Sequence, residues 1–206
     1  MHTQKQFALT DRVQQVQFMR DYGFASLVTQ GGNGLTATHV PLMVEERDDG
    51  VFLVGHVARA NPHWKTLESG VEALAIFHGP HAYISPTWYQ LHPAVPTWNY
   101  AVVHAYGRAR LLDANATKNL VKAVSEQYES GRENPWRMED LPHDYVDKLL
   151  AAIVGFEIAI QRIEGSFKLS QNRSAADRAG VIKALLESAP SDQALAHLMQ
   201  RIEKSS

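Results

Sequence analysis

The chain has no cysteine among its 206 residues. That absence excludes disulfides, thiolate metal sites and a cysteine nucleophile together, and makes an intracellular setting the simpler reading. A charge excess of one sign is also missing: 20 Lys and Arg stand against 22 Asp and Glu, so no global positive field attracts nucleic acid or an anionic membrane. No apolar run approaches the roughly 20 residues needed to cross a bilayer. The opening MHTQKQFALTDRVQQ lacks a basic stretch followed by an apolar one, so it does not read as a secretion signal and a cytoplasmic location is expected. What is present, 45% hydrophobic and 20% charged residues, is the composition of a globular domain with a core of its own.

The hydrophobic periods place the elements. Thr10 is expected to cap a first helix carrying Val13, Val16, Met19 and Tyr22 on one face, ended by Gly23. FASLVTQ, the turn GGNG and LTATHVPLMVEE read as a hairpin, and RDDG leads into a third strand, VFLVGHV. A short helix opens near Pro62, two strands follow on either side of Gly79-Pro80, and NYAVVHAYGRARLLD is a sixth strand. Helices are expected at 115–130, capped by Asn115, and at 141–154. A late strand GFEIAIQRIEG precedes helices at about 174–188 and 191–204. Many short antiparallel strands with helices at the margins predict an α+β, mainly β, fold: a closed or split β-barrel with peripheral and C-terminal helices. The expected division is a barrel domain over 1–170, with inserted helices at about 115–154, and a helical extension over 171–206.

The residues favour binding over hydrolysis. Seven of ten histidines fall between His39 and His104, yet no HExxH or HxH pair exists, so no metal site is expected. Neither Ser26 nor Ser85 sits in a GxSxG elbow. Thr36, Thr38, His39, His56, Arg59, Asn61, Lys65 and Ser85 instead cluster hydrogen-bond donors near strand ends, while Trp64, Trp88, Tyr89, Trp98 and Tyr100 offer flat faces. Anion donors beside stacking faces suit a phosphorylated planar ligand such as flavin mononucleotide (FMN).

The stretches GHVARANPHW, FHGPHAYISPTWY, VPTWNY, VHAYGRARLL and GFEIAIQRIEGSFKLSQN occur in order and resemble the signature blocks of the PaiB family of FMN-binding negative transcriptional regulators, over about residues 1–204. The resemblance implies a split barrel related to pyridoxamine-phosphate oxidases and a homodimer with FMN in a cleft between barrels. It assigns the phosphate to HVARANP, through His56, Arg59 and Asn61, with Thr36 and Thr38 on the neighbouring strand as further candidates; His39 is a cofactor-binding candidate from the donor cluster alone. Trp88, Trp98 and Asn99 are expected at the pocket edge. A flavin-dependent oxidoreductase and a haem-binding split-barrel protein are the alternatives. Any direct DNA contact is expected to be weak, because Arg173, Arg178 and Lys183 are offset by Asp177, Glu187 and Asp192.

Overall fold

The computed structural model describes residues 1–32 and 34–205, the last three by backbone alone; Asn33 of the GGNG turn lies outside the described residues. Eight strands form one mainly antiparallel sheet: β1 (Ala8–Leu9), β2 (Phe24–Gly31), β3 (Gly34–Pro41), β4 (Met43–Arg47), β5 (Gly50–Ala58), β6 (Glu72–Ile84), β7 (Thr97–Leu111) and β8 (Ile153–Lys168). Their order is β3-β2-β6-β7-β8-β5-β4, with β1 also paired to β8. The sheet is not closed, as a split barrel requires. Around it lie α1 (Arg12–Asp21), α2 (His63–Glu68), α3 (Ala114–Glu129), α4 (His143–Ala151), α5 (Ala175–Leu186) and α6 (Pro190–Ser205). None is long and apolar enough to cross a membrane. The chain forms two compact units, whose boundary falls within α1, β6, β7 and β8.

One unit comprises Met19–Phe77 and Ala105–Ile163. The expected hairpin of β2 and β3 runs in register from Phe24 opposite Pro41 to Gly31 opposite Gly34. LTATHVPLMVEE is two strands rather than one: at Leu42 the chain leaves β2, and β4 pairs with β5 instead. The corner packs onto β5 at Gly55, where a Cβ would stand 2.7 Å from Leu42 Cδ2 and 3.1 Å from the Pro41 carbonyl. Leu27, Leu53, Leu67, Phe77, Phe156 and Ile158 fill the interior. Each such side chain contributes about 1.5–3 kcal/mol when fully buried. On β8, buried Glu157 accepts from Arg110 Nε at 2.6 Å and Arg47 Nη1 at 3.0 Å. The cap of α3 is Asp113, accepting from the Ala116 N–H, and not Asn115.

The other unit comprises Met1–Phe18, His78–His104 and the chain from Glu164 onward. Asp11, rather than Thr10, caps α1 by accepting from the Val13 and Gln14 N–H groups, and Val13 itself is exposed. Gly79-Pro80 does not divide β6. The buried positions shift parity across it, from Ala73, Ala75 and Phe77 to Ala82 and Ile84, so the dipeptide moves the inward face without ending the strand. Phe18 and Phe167 meet with centroids 5.0 Å apart. α5 and α6 form the C-terminal helical pair, and Asp177 of α5 fastens the loop before β7, accepting from the N–H groups of Gln90 at 2.7 Å and Leu91 at 3.3 Å. Burial raises the Asp177 carboxyl, but those two N–H bonds, together with the Ser174 side chain and the Arg173 charge, hold the group below the usual carboxylate range.

Asp177→Ala leaves two backbone donors unpaired. It is expected to lower Tm by roughly 4–8 °C and to speed proteolytic cleavage in 89–96. An unchanged melt and digestion pattern would show that the loop is held by other contacts.

Candidate functional site

The turn after β5 is built around a histidine that the sequence reading did not single out. Asn61 Oδ1 accepts the His63 N–H at 3.0 Å, an Asx turn that starts α2 after Pro62. His63 is 1% exposed, with Nε2 2.8 Å from Thr29 Oγ1 and Nδ1 2.8 Å from Thr38 Oγ1. Asn61 Nδ2 also donates to Thr38 Oγ1, at 3.2 Å. Burial lowers the His63 pKa, so the ring is neutral and satisfies both threonines by donating to one and accepting from the other. Thr38 and Asn61 are thus brought together as expected, but their polar groups are engaged in fixing α2 to the hairpin. The Asn-Pro-His triplet was the available signal.

Arg59 is pinned on the opposite side of this turn. Its N–H donates to the Ala152 carbonyl at 2.8 Å, Nε to Ala151 O at 2.9 Å and Nη2 to Ile153 O at 3.0 Å. Its own carbonyl accepts from Trp64 Nε1. Nη1 has no partner among the described residues. His56 lies on β5 directly opposite Gly155 of β8, so their side-chain directions share a face. Arg59 and Gly155 both line a cavity of about 360 Å³. Burial lowers the His56 pKa, which keeps the ring neutral near pH 7.

The other expected residues lie elsewhere. Thr36 is half-buried on β3 opposite Thr29. His39 is exposed, its Nδ1 3.1 Å from Ser26 Oγ and its ring 6.5 Å from Phe24. Trp88, Trp98 and Asn99 belong to the second unit. Trp98 is 55% exposed and edges Tyr83 at 6.1 Å, an aromatic surface beside His81. Trp88 is half-buried, and a Cβ on Gly180 would stand 2.4 Å from its carbonyl oxygen. Asn99 is fully buried; its Nδ2 donates to Ser170 Oγ at 2.9 Å, while Oδ1 has no partner. Among the described residues no three acidic or imidazole groups converge as a metal site.

His63 gives a pH test. Its folded pKa lies below the unfolded value of about 6.5, so its contribution is complete above that pH and is lost as pH falls toward the folded pKa. Denaturation midpoints are expected to drop between pH 7.5 and 5.5, while His63→Gln is less stable at pH 7.5 and loses less on acidification. Equal losses in both proteins would mean that His63 is not buried neutral.

Residues 1–162 match the family described as "Putative FMN-binding domain". The chain is 37% identical over 201 residues to the "Protease synthase and sporulation protein PAI 2" of Bacillus subtilis, covering 97% of each. Among solved structures, the FAD and heme binding protein from Mycobacterium smegmatis matches with TM-score 0.61 at 15% identity, over 84% of this chain and 78% of that one. The flavocytochrome Anf3 from Azotobacter vinelandii matches with TM-score 0.57 at 16% identity, over 86% and 78%. At these identities the two structures establish a shared fold. The match over 1–162 and the full-length relative establish more, and the chain belongs to the FMN-binding domain family.

Proposed function

We propose that the protein binds FMN as a homodimer and acts as a negative transcriptional regulator. Family membership supports the FMN-binding part of this reading, and the regulator and homodimer parts rest on the resemblance to the PaiB family. The residues present fit the cofactor's phosphate: Arg59 is held rigid by three hydrogen bonds and keeps Nη1 for an anion. Bound flavin would supply redox chemistry, while the chain's own groups hold its phosphate and shield its ring. Exposed Leu91, Val95 and Trp98 in one unit, and Phe24 and Leu35 in the other, supply apolar surface for a second copy.

The C-terminal helices argue against a direct recognition helix. The Arg173 guanidinium lies 4.4 Å over Tyr89, and Arg178 Nη1 donates to the Arg173 carbonyl, so both cations are engaged within their own unit. Regulation would then work through the flavin-bound state or a partner protein. Any DNA affinity is expected to be weak and to fall steeply with salt. Anisotropy titrations at two salt concentrations check this, and tight salt-insensitive binding would contradict it.

Flavin-fluorescence titrations test the cofactor. FMN is expected to bind more tightly than riboflavin, and Arg59→Ala to weaken FMN by roughly tenfold to a hundredfold with riboflavin nearly unchanged. Equal affinities for the two flavins would remove the phosphate assignment at HVARANP. A stable Soret band without flavin uptake would establish haem instead.

A further inference from the structure

A second cavity in the unit of Met19–Phe77 and Ala105–Ile163, of about 640 Å³, is lined by one face of α3 and by β4, β5, β7 and β8. Arg59 is not among its lining residues. Part of the wall is apolar, supplied by Val54, Leu112 and Leu120. On α3 the small side chains of Ala116 and Ala123 flank Leu120 at the spacing of one helix face, so the helix lines the space without filling it.

The charged lining groups form a chain of hydrogen bonds that leaves particular atoms over. Glu157, its side chain only 4% exposed, accepts from Arg110 Nε at 2.6 Å and from Arg47 Nη1 at 3.0 Å. Arg110 gives only Nε to that carboxylate, so both of its Nη groups are without a partner among the described residues while the guanidinium itself is held in place. At the other end of the chain, Glu45 takes Arg47 Nε and Nη2 on the single oxygen Oε2, at 3.0 and 2.6 Å, which leaves Oε1. Asp113 takes the Ala116 N–H on Oδ1 at 2.7 Å, which leaves Oδ2. The cavity therefore presents an unused guanidinium fork and unused carboxylate oxygens together. Two guanidiniums against three carboxylates give a simple anion no excess of positive charge to bind, whereas a ligand that carries both signs can use both sets of atoms.

We propose that this cavity binds a zwitterion, a free α-amino acid with an apolar side chain, through its carboxylate on the Arg110 Nη pair and its ammonium on Glu45 Oε1 and Asp113 Oδ2. A carboxylate matches the paired N–H groups of a guanidinium, and an ammonium has three donors for separate acceptor oxygens. The apolar wall receives the side chain, and about 640 Å³ lies within the size range of small-molecule sites. Because buried Glu157 already fixes Arg110, little side-chain freedom remains to be lost on binding. Flavin binding at the Arg59 turn is not involved.

Calorimetric titrations at neutral pH and low salt compare L-leucine with two analogues that lack one charge each: 4-methylpentanoate, without the ammonium, and 3-methylbutylamine, without the carboxylate. Wild type is expected to bind leucine about tenfold or more tightly than either analogue. Arg110→Gln should weaken leucine by about tenfold or more and leave 3-methylbutylamine unchanged. Arg110→Lys keeps a charge beside Glu157 and removes only the planar fork, so it gives the same readout should the Gln variant fail to fold. Glu45→Gln combined with Asp113→Asn, in which Asn still caps α3, should weaken leucine and leave 4-methylpentanoate unchanged or tighter. A purely structural role for these residues would not split the two analogues in opposite directions. FMN titrations of the same variants should match wild type, so that failure of either site leaves the other reading standing. No leucine binding at millimolar concentration, equal affinities for leucine and both analogues, or leucine affinity unchanged in the variants, would overturn the proposal.

Discussion

A neutral imidazole between two threonine hydroxyls fixes how the chain leaves β5, and the candidate site follows from that exit. His63 joins the first turn of α2 to Thr29 of β2 and Thr38 of β3 in an interior where an unpaired ring nitrogen would be costly. On the other side of the same turn, Arg59 is tied by its N–H and guanidinium to the carbonyls of 151–153. With both flanks held, the five-residue run from Arg59 to His63 has little freedom. Arg59 therefore presents Nη1 from a prepared position, which reduces the ordering cost of binding an anion.

The next constraint is register. β5 and β8 pair so that Val54 opposes Glu157 and His56 opposes Gly155, leaving these four on one face and Leu53, Phe156 and Ile158 in the interior. A slip by one residue would turn Glu157 inward and Phe156 outward. Glu157 with Arg47 and Arg110 opposes that slip, because a buried carboxylate deprived of its partners is strongly destabilising, by about 3–5 kcal/mol. The ion pairs thus act mainly on which arrangement forms. That arrangement places the bare Cα of Gly155 against Thr117 of α3, where any side chain would collide with the threonine hydroxyl.

Local chemistry made much of the fold legible. The β2–β3 hairpin, the long β7 and the two C-terminal helices were readable because apolar period and turn residues agree in each. The caps were misplaced by one or two residues, since Thr10 and Asp11, or Asp113 and Asn115, are chemically equivalent candidates until hydrogen bonds choose between them. Gly79-Pro80 looked like a strand break because its effect on side-chain facing, visible only in three dimensions, leaves β6 continuous. The site divided in the same way. Thr38 and Asn61 converge because both lie close to the β5 exit, whereas Thr117 and Lys118 reach Arg59's cavity through the β5–β8 pairing, which joins segments about 100 residues apart. No local pattern announces such a meeting. Trp98, by contrast, was an aromatic residue whose exposure only the folded chain could show.

The charge on the proposed anion site follows from burial as much as from composition. His56 and His63 are the two imidazoles of HVARANPH, and desolvation lowers the pKa of both. Near pH 7 they contribute hydrogen bonds and shape without positive charge. The positive charge comes from Arg59, with Lys118 lining the same cavity. A phosphate monoester would then meet a fixed field, while its own second ionisation near pH 6 alters the ligand. Affinity in such a site rises as pH increases through that ionisation, the reverse of a site that relies on protonated histidine. An overall charge of −2 is compatible with this selectivity, because the attraction acts over the few ångströms around the Arg59 guanidinium and not across the surface.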